Sequence, residues 1–163
     1  MGKIKTIKDY LSESSFFEGM KDDHLELLSG CGGIQHFEPG DFLIKEGEEA
    51  NSFYLILRGD IAVESYAPAS GPIMLSRSGP GEVTGYSWLF PPHRNQFDSR
   101  ALTKVDAIHL NGKCLRGKAE NDYELGYQLM KHFAQLVLQR LHNTRRQMLN
   151  VYGTEQQFDT SGQ

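Results

Sequence analysis

The chain has 163 residues, of which 39% are hydrophobic, and it carries a formal net charge of −4 at pH 7. That length and composition are typical of one globular domain, and the negative charge argues against a protein that binds nucleic acid with its whole surface. No segment approaches the roughly 18 apolar residues of a membrane-spanning helix, and residues 1–25 lack the pattern of a signal peptide, so we expect a cytoplasmic protein that does not bind membranes.

Neither the cysteines nor the histidines show the spacing of a metal site. Cys31 and Cys114 belong to no CxxC motif, and the six histidines include no close H-x-H pair. We therefore predict no metal and no other cofactor, and we interpret both cysteines as free thiols of a reducing compartment, with a disulfide as the less favoured alternative. No nucleophile elbow, phosphate loop or paired-carboxylate motif indicates an enzyme.

Residues 1–33 are predicted to form a helical lead-in. Apolar residues recur at helical spacing up to Leu28, and Asp22 or Asp23 is a suitable N-cap for the second of two short helices. The sequence SGCGG at residues 29–33 then supplies a helix stop.

Residues 34–120 change to a β pattern. Short runs rich in β-branched and aromatic residues are separated by Gly, Pro, Asn or Asp every 8–12 residues, a spacing that indicates an all-β sandwich or barrel. Arg58-Gly59-Asp60 is predicted to be a tight turn joining two antiparallel strands. The predicted strand segments are residues 42–44, 53–57, 61–63, 73–75 and 107–110.

Residues 121–152 are predicted to form one long helix, followed by a disordered tail at 153–163 that is polar and rich in Gly, Ser and Gln. An apolar stripe at intervals of three or four residues must be buried, either on the chain's own β core or in a two-chain contact. We expect the second half of the helix to form a homodimer through residues 130–151. The stripe consists of Met130, Phe133, Val137, Leu141, Thr144, Met148 and Val151.

The segment 37–59, FEPGDFLIKEGEEANSFYLILRG, has the pattern F-x-P-G-D-x-L-x-x-E-G-x-x-A-x-x-F-Y-x-I-x-x-G. This pattern resembles the opening of the cyclic-nucleotide-binding domain of catabolite-activator and FNR-type regulators and of protein kinase A regulatory subunits. The resemblance implies a mostly β fold: a double-stranded β-helix, or jelly-roll and cupin-like β-roll, with N-terminal helices and a long C-terminal helix. It also implies a sensor without its DNA reader, because about a dozen residues follow the long helix.

The segment 81–90, GEVTGYSWLF, aligns without a gap with that family's ligand-binding pattern G-D-x-F-G-E-L-A-L. We call residues 81–100 the cassette. The resemblance implies that Gly85 brings the backbone close to a ligand, that the amides through Ser87 face an anion, and that Tyr86 replaces the glutamate that binds the ribose hydroxyl. Trp88 replaces a small residue, and its indole either stacks on a base, fills the pocket or belongs to the core.

The position of the family's phosphate-binding arginine is not matched directly. Alignment on the strand at Arg100 puts Asn95 at that position, with Arg94 one place early. Arg94 is the favoured arginine for the phosphate contact, and Arg100 is the second candidate. A third alternative, that no arginine contacts the phosphate, is as well supported as Arg94.

Two functions remain open on this basis. The first is a sensor that binds cyclic AMP (cAMP), cyclic GMP (cGMP) or another anionic effector and signals through the long helix. The second is a degenerate, ligand-free dimeric interaction module. Residues 125–154 are basic and contain no acidic residue; we expect no specific DNA binding, and an acidic partner protein is the more open possibility.

Overall fold

The computed structural model describes the backbone of residues 2–159 and the side chains of residues 2–153. Two short helices come first, eight strands follow, and two helices end the described part of the chain. The helices are α1 Ile7–Glu13, α2 Asp22–Ser29, α3 Gly112–Asn121 and α4 Tyr123–Asp159, with single 3-10 turns at Ser15–Phe17 and Ser87–Leu89. The strands are β1 Gly32–Phe37, β2 Phe42–Ile44, β3 Ser52–Arg58, β4 Ile61–Ala67, β5 Gly71–Ser78, β6 Val83–Thr84, β7 Asp98–Ala101 and β8 Val105–Asn111.

The strands form two four-stranded antiparallel sheets, with the order β1-β8-β3-β6 in the first and β2-β7-β4-β5 in the second. Apolar residues from both sheets pack between them, which gives the barrel interior of a jelly roll. All five strand segments predicted from the sequence fall inside observed strands, and the predicted β-roll with flanking helices is confirmed. The interior cluster contains Leu43, Ile44, Tyr54, Ile56, Ile61, Ala101, Val105 and Ala107.

Strand β3 is buried on both faces. Tyr54 and Ile56 belong to the interior cluster, so Phe53 and Leu55, which alternate with them, point to the other side of the first sheet. We call that side the helix side, because Phe53 packs there against the rings of Phe16 and Phe17 from the lead-in, at centroid distances of 5.4 and 6.1 Å. The molecule therefore has two apolar layers, one inside the barrel and one beneath the helices.

The turn at Arg58-Gly59-Asp60 is a corner between sheets. β3 pairs with β6 and β8, whereas β4 pairs with β5 and β7, so the predicted tight turn does not join a hydrogen-bonded pair of strands. Gly59 has a φ of +87°, and a Cβ there would clash with the carbonyl oxygen of Lys104. Glycine is required at this corner by both conformation and space.

The N-terminal helices differ from the prediction at their start. Lys21 occupies the N-cap of α2 without a side-chain cap, and Asp22 and Asp23 lie in the first turn, where their charges favour the helix dipole. The prediction that an aspartate caps α2 is therefore wrong, whereas Thr6 caps α1 in a full capping box with Asp9.

Cys31 and Cys114 form a disulfide, with a Cα–Cα distance of 5.6 Å. The expectation of two free thiols is wrong. The two residues are 83 positions apart, and no local motif links them. The pairing of β1 with β8 brings them together, because Gly32 lies opposite Leu110 and Cys31 and Cys114 flank these positions. The bond ties the end of the lead-in to the first turn of α3.

Two boundaries at the end of the β-roll also differ. Residues 112–120, predicted as part of the β-roll, lie in the helix α3, whose N-cap Asn111 accepts a hydrogen bond from the amide of Cys114. The predicted long helix begins at Tyr123 and continues to Asp159, so residues 153–159 of the predicted tail are helical. A run of helix-favouring Glu and Gln follows Gly153, and no proline interrupts it. Residues 160–163 lie outside the described residues.

The chain divides into two compact units, residues 1–129 and 130–163. The described part of the second unit is the C-terminal part of α4, and much of its predicted stripe is exposed: Val137, Leu141, Met148 and Val151 have exposed fractions of 42–62%. None of the helices in the described part of the chain is both long enough and apolar enough to cross a bilayer.

Candidate functional site

The turn inside the cassette requires a glycine at position 85. Gly85 follows β6 with a φ of +95°, and a Cβ at this position would lie 2.5 Å from the carbonyl oxygen of Ser52 and 2.8 Å from Cδ1 of Ile44. The close backbone approach expected of this glycine is made to β3 of the same chain. The turn leads directly into the 3-10 turn Ser87–Leu89.

Trp88 lies in the helix-side layer. Its side chain is completely buried, its ring centroid is 6.3 Å from that of Phe53, and its indole N–H donates to the carbonyl oxygen of Gly85 at 3.1 Å. A Cβ on Gly112 would overlap the Trp88 side chain, and the Arg116 guanidinium donates to the Trp88 carbonyl oxygen. Of the three roles considered for this indole, the core role fits these contacts.

Tyr86 and Phe97 form the aromatic part of the cassette. Their ring centroids are 5.6 Å apart, and Phe97 is buried whereas Tyr86 is half-buried. Ser87 is half-buried, and its hydroxyl makes no side-chain hydrogen bond within residues 2–153. The cassette thus combines a glycine turn with a pair of rings where the family pattern has a glutamate and small residues.

Two hydrogen-bonded pairs of polar side chains lie near the barrel interior. Thr84 and Ser99 are buried, and their hydroxyl oxygens are 2.8 Å apart across the two sheets. Ser52 Oγ lies 2.9 Å from Nε2 of His109, whose ring is 5.1 Å from that of Tyr54. Burial lowers the pKa of His109 below its ordinary value, which favours the neutral imidazole. Burial likewise raises the pKa of the Tyr54 phenol.

The loop between the 3-10 turn and β7 is held against residues 45–50. The amide of Ala50 donates to the carbonyl of His93 at 2.7 Å, and the amide of Gly47 donates to that of Asn95 at 2.8 Å. The Asn95 side chain donates to the carbonyl of Lys45 at 3.0 Å, so it helps to hold the loop against residues 45–50. Arg94 is exposed at a bridge to Glu49, and no hydrogen bond or ion pair of its guanidinium occurs among the described side chains.

Arg100 is paired with an acid. Its Nη2 donates to Oε1 of Glu64 at 2.6 Å and its Nε to Oε2 at 3.3 Å, and Glu64 is 4% exposed. These hydrogen bonds raise the pKa of Arg100 above its ordinary value. Ser99 and Ala101 face the interior, so Arg100 lies on the outward face of β7. The predicted site residues therefore do not form one cluster. Gly85, Tyr86 and Ser87 lie together, whereas Trp88 lies in the helix-side layer and Arg100 lies on the outward face of β7.

Sequence reasoning missed Glu64, the Thr84–Ser99 pair and the Ser52–His109 pair. An acid inside the strand IAVESYA gives no indication that it is buried. The available signal is strand alternation: Glu64 lies on the same face of β4 as Ala62, which is opposite Arg100. Among the described residues, no group of three or more His, Cys, Asp or Glu is placed to hold a metal ion.

Comparison with known proteins relates this geometry to one family. Residues 34–122 match the sequence profile of the cyclic nucleotide-binding domain. The chain is 22% identical over 147 residues to the CRP-like cAMP-activated global transcriptional regulator of Mycobacterium tuberculosis; the match covers 90% of this chain and 64% of the regulator, so the chain spans just under two thirds of that relative.

Solved structures show the same fold. A protein from Geobacter metallireducens GS-15 described as cyclic nucleotide-binding is 27% identical with a TM-score of 0.74, covering 85% of this chain and 100% of that one. A regulatory subunit of a cAMP-independent protein kinase A from Trypanosoma brucei is 24% identical with a TM-score of 0.66, covering 87% and 49%. The chain therefore belongs to the cyclic nucleotide-binding domain family.

Proposed function

We propose that the chain is a non-enzymatic regulatory sensor domain. It binds cAMP, cGMP or a similar anionic small molecule at the cassette and signals through α4. The observation that carries this proposal is the position of Trp88 on the helix side, beside Phe53. The bulkiest residue of the cassette does not fill the barrel interior, while Gly85 keeps its positive φ.

Arg94 is the guanidinium that we assign to the anionic group of the effector. It is exposed and unpaired among the described side chains, whereas Arg100 already binds Glu64. Tyr86 supplies one neutral hydrogen bond in place of a charge-assisted one, a difference of roughly 1 kcal/mol. The proposal therefore expects an effector held more weakly at its ribose side, or one without a ribose.

Arg94→Ala tests this assignment. In the wild-type protein we expect cAMP or cGMP at about 100 times its dissociation constant to add roughly 2.7 kcal/mol to the free energy of unfolding. Arg94→Ala should lower the affinity for that ligand by roughly 10- to 100-fold, because a charged hydrogen bond is worth about 1.5–3 kcal/mol. The same substitution should leave the stability of the unliganded protein unchanged. Thermal shift and calorimetric titration measure both quantities.

The matched control is the double variant Glu64→Gln/Arg100→Gln, which removes the other arginine without leaving a buried acid unpaired. It should bind the nucleotide like the wild type. Loss of binding in this variant, with binding retained in Arg94→Ala, would reverse the assignment. The absence of any shift with cAMP, cGMP, AMP or GMP at millimolar concentration would overturn the sensor proposal itself.

That last outcome would favour the second candidate, a ligand-free dimeric interaction module. The specific observation in its favour is the packing of Tyr86 against Phe97 where the family pattern has a glutamate and a small residue. In both candidates the protein works in the cytoplasm, and its partner is a second copy of the chain or an acidic protein.

The dimer is proposed to form through residues 130–151. Leu141 is 62% exposed in the single chain, and a second copy of the helix would cover the stripe to which it belongs. We expect the wild-type protein to have twice the mass of one chain in light scattering after size-exclusion chromatography. Leu141→Glu should yield a monomer, because it places like charges in an apolar seam. Asn143→Glu, on the opposite face of α4, is the matched control and should remain dimeric; a monomeric wild-type protein contradicts the proposal.

A further inference from the structure

The helix side of the first sheet carries a cavity of about 690 Å³. It lies between α1 and strands β1, β3 and β8, and none of the residues from Gly85 to Arg100 lines it. Its floor is the end of the sheet that includes Ile34 and Leu57, beyond the aromatic layer around Phe53. Its volume lies within the range of roughly 300–1,000 Å³ that is typical of small-molecule sites.

The charged groups around this cavity leave one cation unpaired. Lys5 Nζ lies 2.8 Å from Oε2 of Glu13, and His36 Nδ1 lies 2.6 Å from Oδ1 of Asp106, so each acid has its own partner. Arg58 also lines the cavity, at the end of β3, and is exposed. Its guanidinium has no ion pair or hydrogen bond among the described side chains. A planar guanidinium in this state is suited to bind a carboxylate through two parallel N–H donors.

Apolar surface lies on the same cavity wall. Ile34 is 47% exposed, Leu57 is half-buried, and Leu55 lies beneath them. Tyr10 of α1 adds an aromatic ring on the opposite wall, with Lys5 Nζ 5.4 Å from the ring centroid. The cavity therefore combines an anion-binding group, Arg58, with an adjacent apolar surface that could contact the apolar part of a ligand.

We propose that this cavity is a second ligand site, separate from the cassette, that binds a small organic carboxylate with an apolar or aromatic body. The carboxylate binds Arg58, and the body lies on Ile34 and Leu57. The site does not depend on the proposed nucleotide function, because Gly81 is the one cassette residue that lines the cavity, and neither Gly85 nor Arg94 does.

The test uses 1-naphthylacetate as the probe, in an amide NMR titration of the ¹⁵N-labelled full chain. We expect saturable shifts at residues of β1 and β3 around Ile34 and Arg58. Arg58→Gln should weaken binding by about tenfold or more, the size of one charge-assisted contact. The neutral 1-naphthylacetamide should bind weakly to both proteins. Lys113→Gln removes one exposed positive charge on α3 and should leave the affinity unchanged.

A second matched pair tests the apolar wall. Ile34→Glu places an acid in the cavity and should abolish binding, whereas Ile73→Glu makes the same change on β5 at an equally exposed position, 46% against 47%, and should bind normally. Dispersed amide spectra confirm that each variant is folded. Shifts confined to the cassette or to α4, equal effects of the two glutamate variants, or no saturation up to about 10 mM would overturn the proposal. Cyclic-nucleotide binding is measured separately, so either site can fail alone.

Discussion

Reduction of the Cys31–Cys114 disulfide is expected to lower the free energy of unfolding by about 4 to 5 kcal/mol. The bond joins residues 83 positions apart, so it closes a loop that contains the whole β-roll. The loop-entropy relation gives a stabilisation of this size for a loop of that length, because the bond removes freedom from the unfolded chain. Urea unfolding, followed with and without a phosphine reductant, measures the difference.

The double variant Cys31→Ser/Cys114→Ser is the control. It should have the stability of the reduced protein and should not respond to the reductant. If thiol titration of the unfolded, unreduced protein finds two free thiols, the disulfide does not form in the purified protein. Reducing compartments keep most cysteines as thiols, so in the proposed cytoplasmic setting the same comparison gives the stability of the protein in its working state.

Trp88→Ala is expected to lower the free energy of unfolding by about 3 to 5 kcal/mol, the cost of replacing a buried aromatic ring by a methyl group. The indole is fully buried, contacts Phe53 and donates to the Gly85 carbonyl. Trp88 is the chain's only tryptophan, so its fluorescence reports this layer alone. Emission should be blue-shifted and resistant to acrylamide quenching in the folded protein, and urea unfolding measures the stability.

Leu89→Ala, at the neighbouring half-buried position, is the matched control and should cost less. A base-stacking role predicts the opposite pattern: Trp88→Ala would keep its stability and lose nucleotide affinity, and nucleotide would quench the wild-type emission. The two roles are therefore separated by one pair of measurements.

Much of the fold could be predicted because turns and strands are specified locally. Gly40 and Gly47, two glycines of the 37–59 pattern, have positive φ in the structure. The run of β-branched and aromatic residues at 53–57 predicted a strand, and the structure has β3 there. Helix α3 was missed because its start depends on the Asn111 cap and on the space for Trp88 beside Gly112.

The candidate site was less predictable, because its residues lie on different faces of the sheets. Alignment assigned Trp88 and Arg100 to the cassette, but a sequence pattern does not say which side of a sheet a residue faces. Trp88 follows a glycine turn that points it to the helix side, and Arg100 lies on the outward face of β7 with Glu64. The disulfide was missed for a related reason: the pairing of β1 with β8 is non-local.

That pairing also determines when the domain can be assembled. In the first sheet, β8 lies between β1 and β3 and pairs with both. During synthesis, β1 and β3 emerge from the ribosome long before β8, and neither has its central neighbour until Asn111 has been added. Non-local pairing of this kind is slow, because the loop must close before the contacts form. The first sheet of a nascent chain therefore stays open until nearly the whole β-roll has been made.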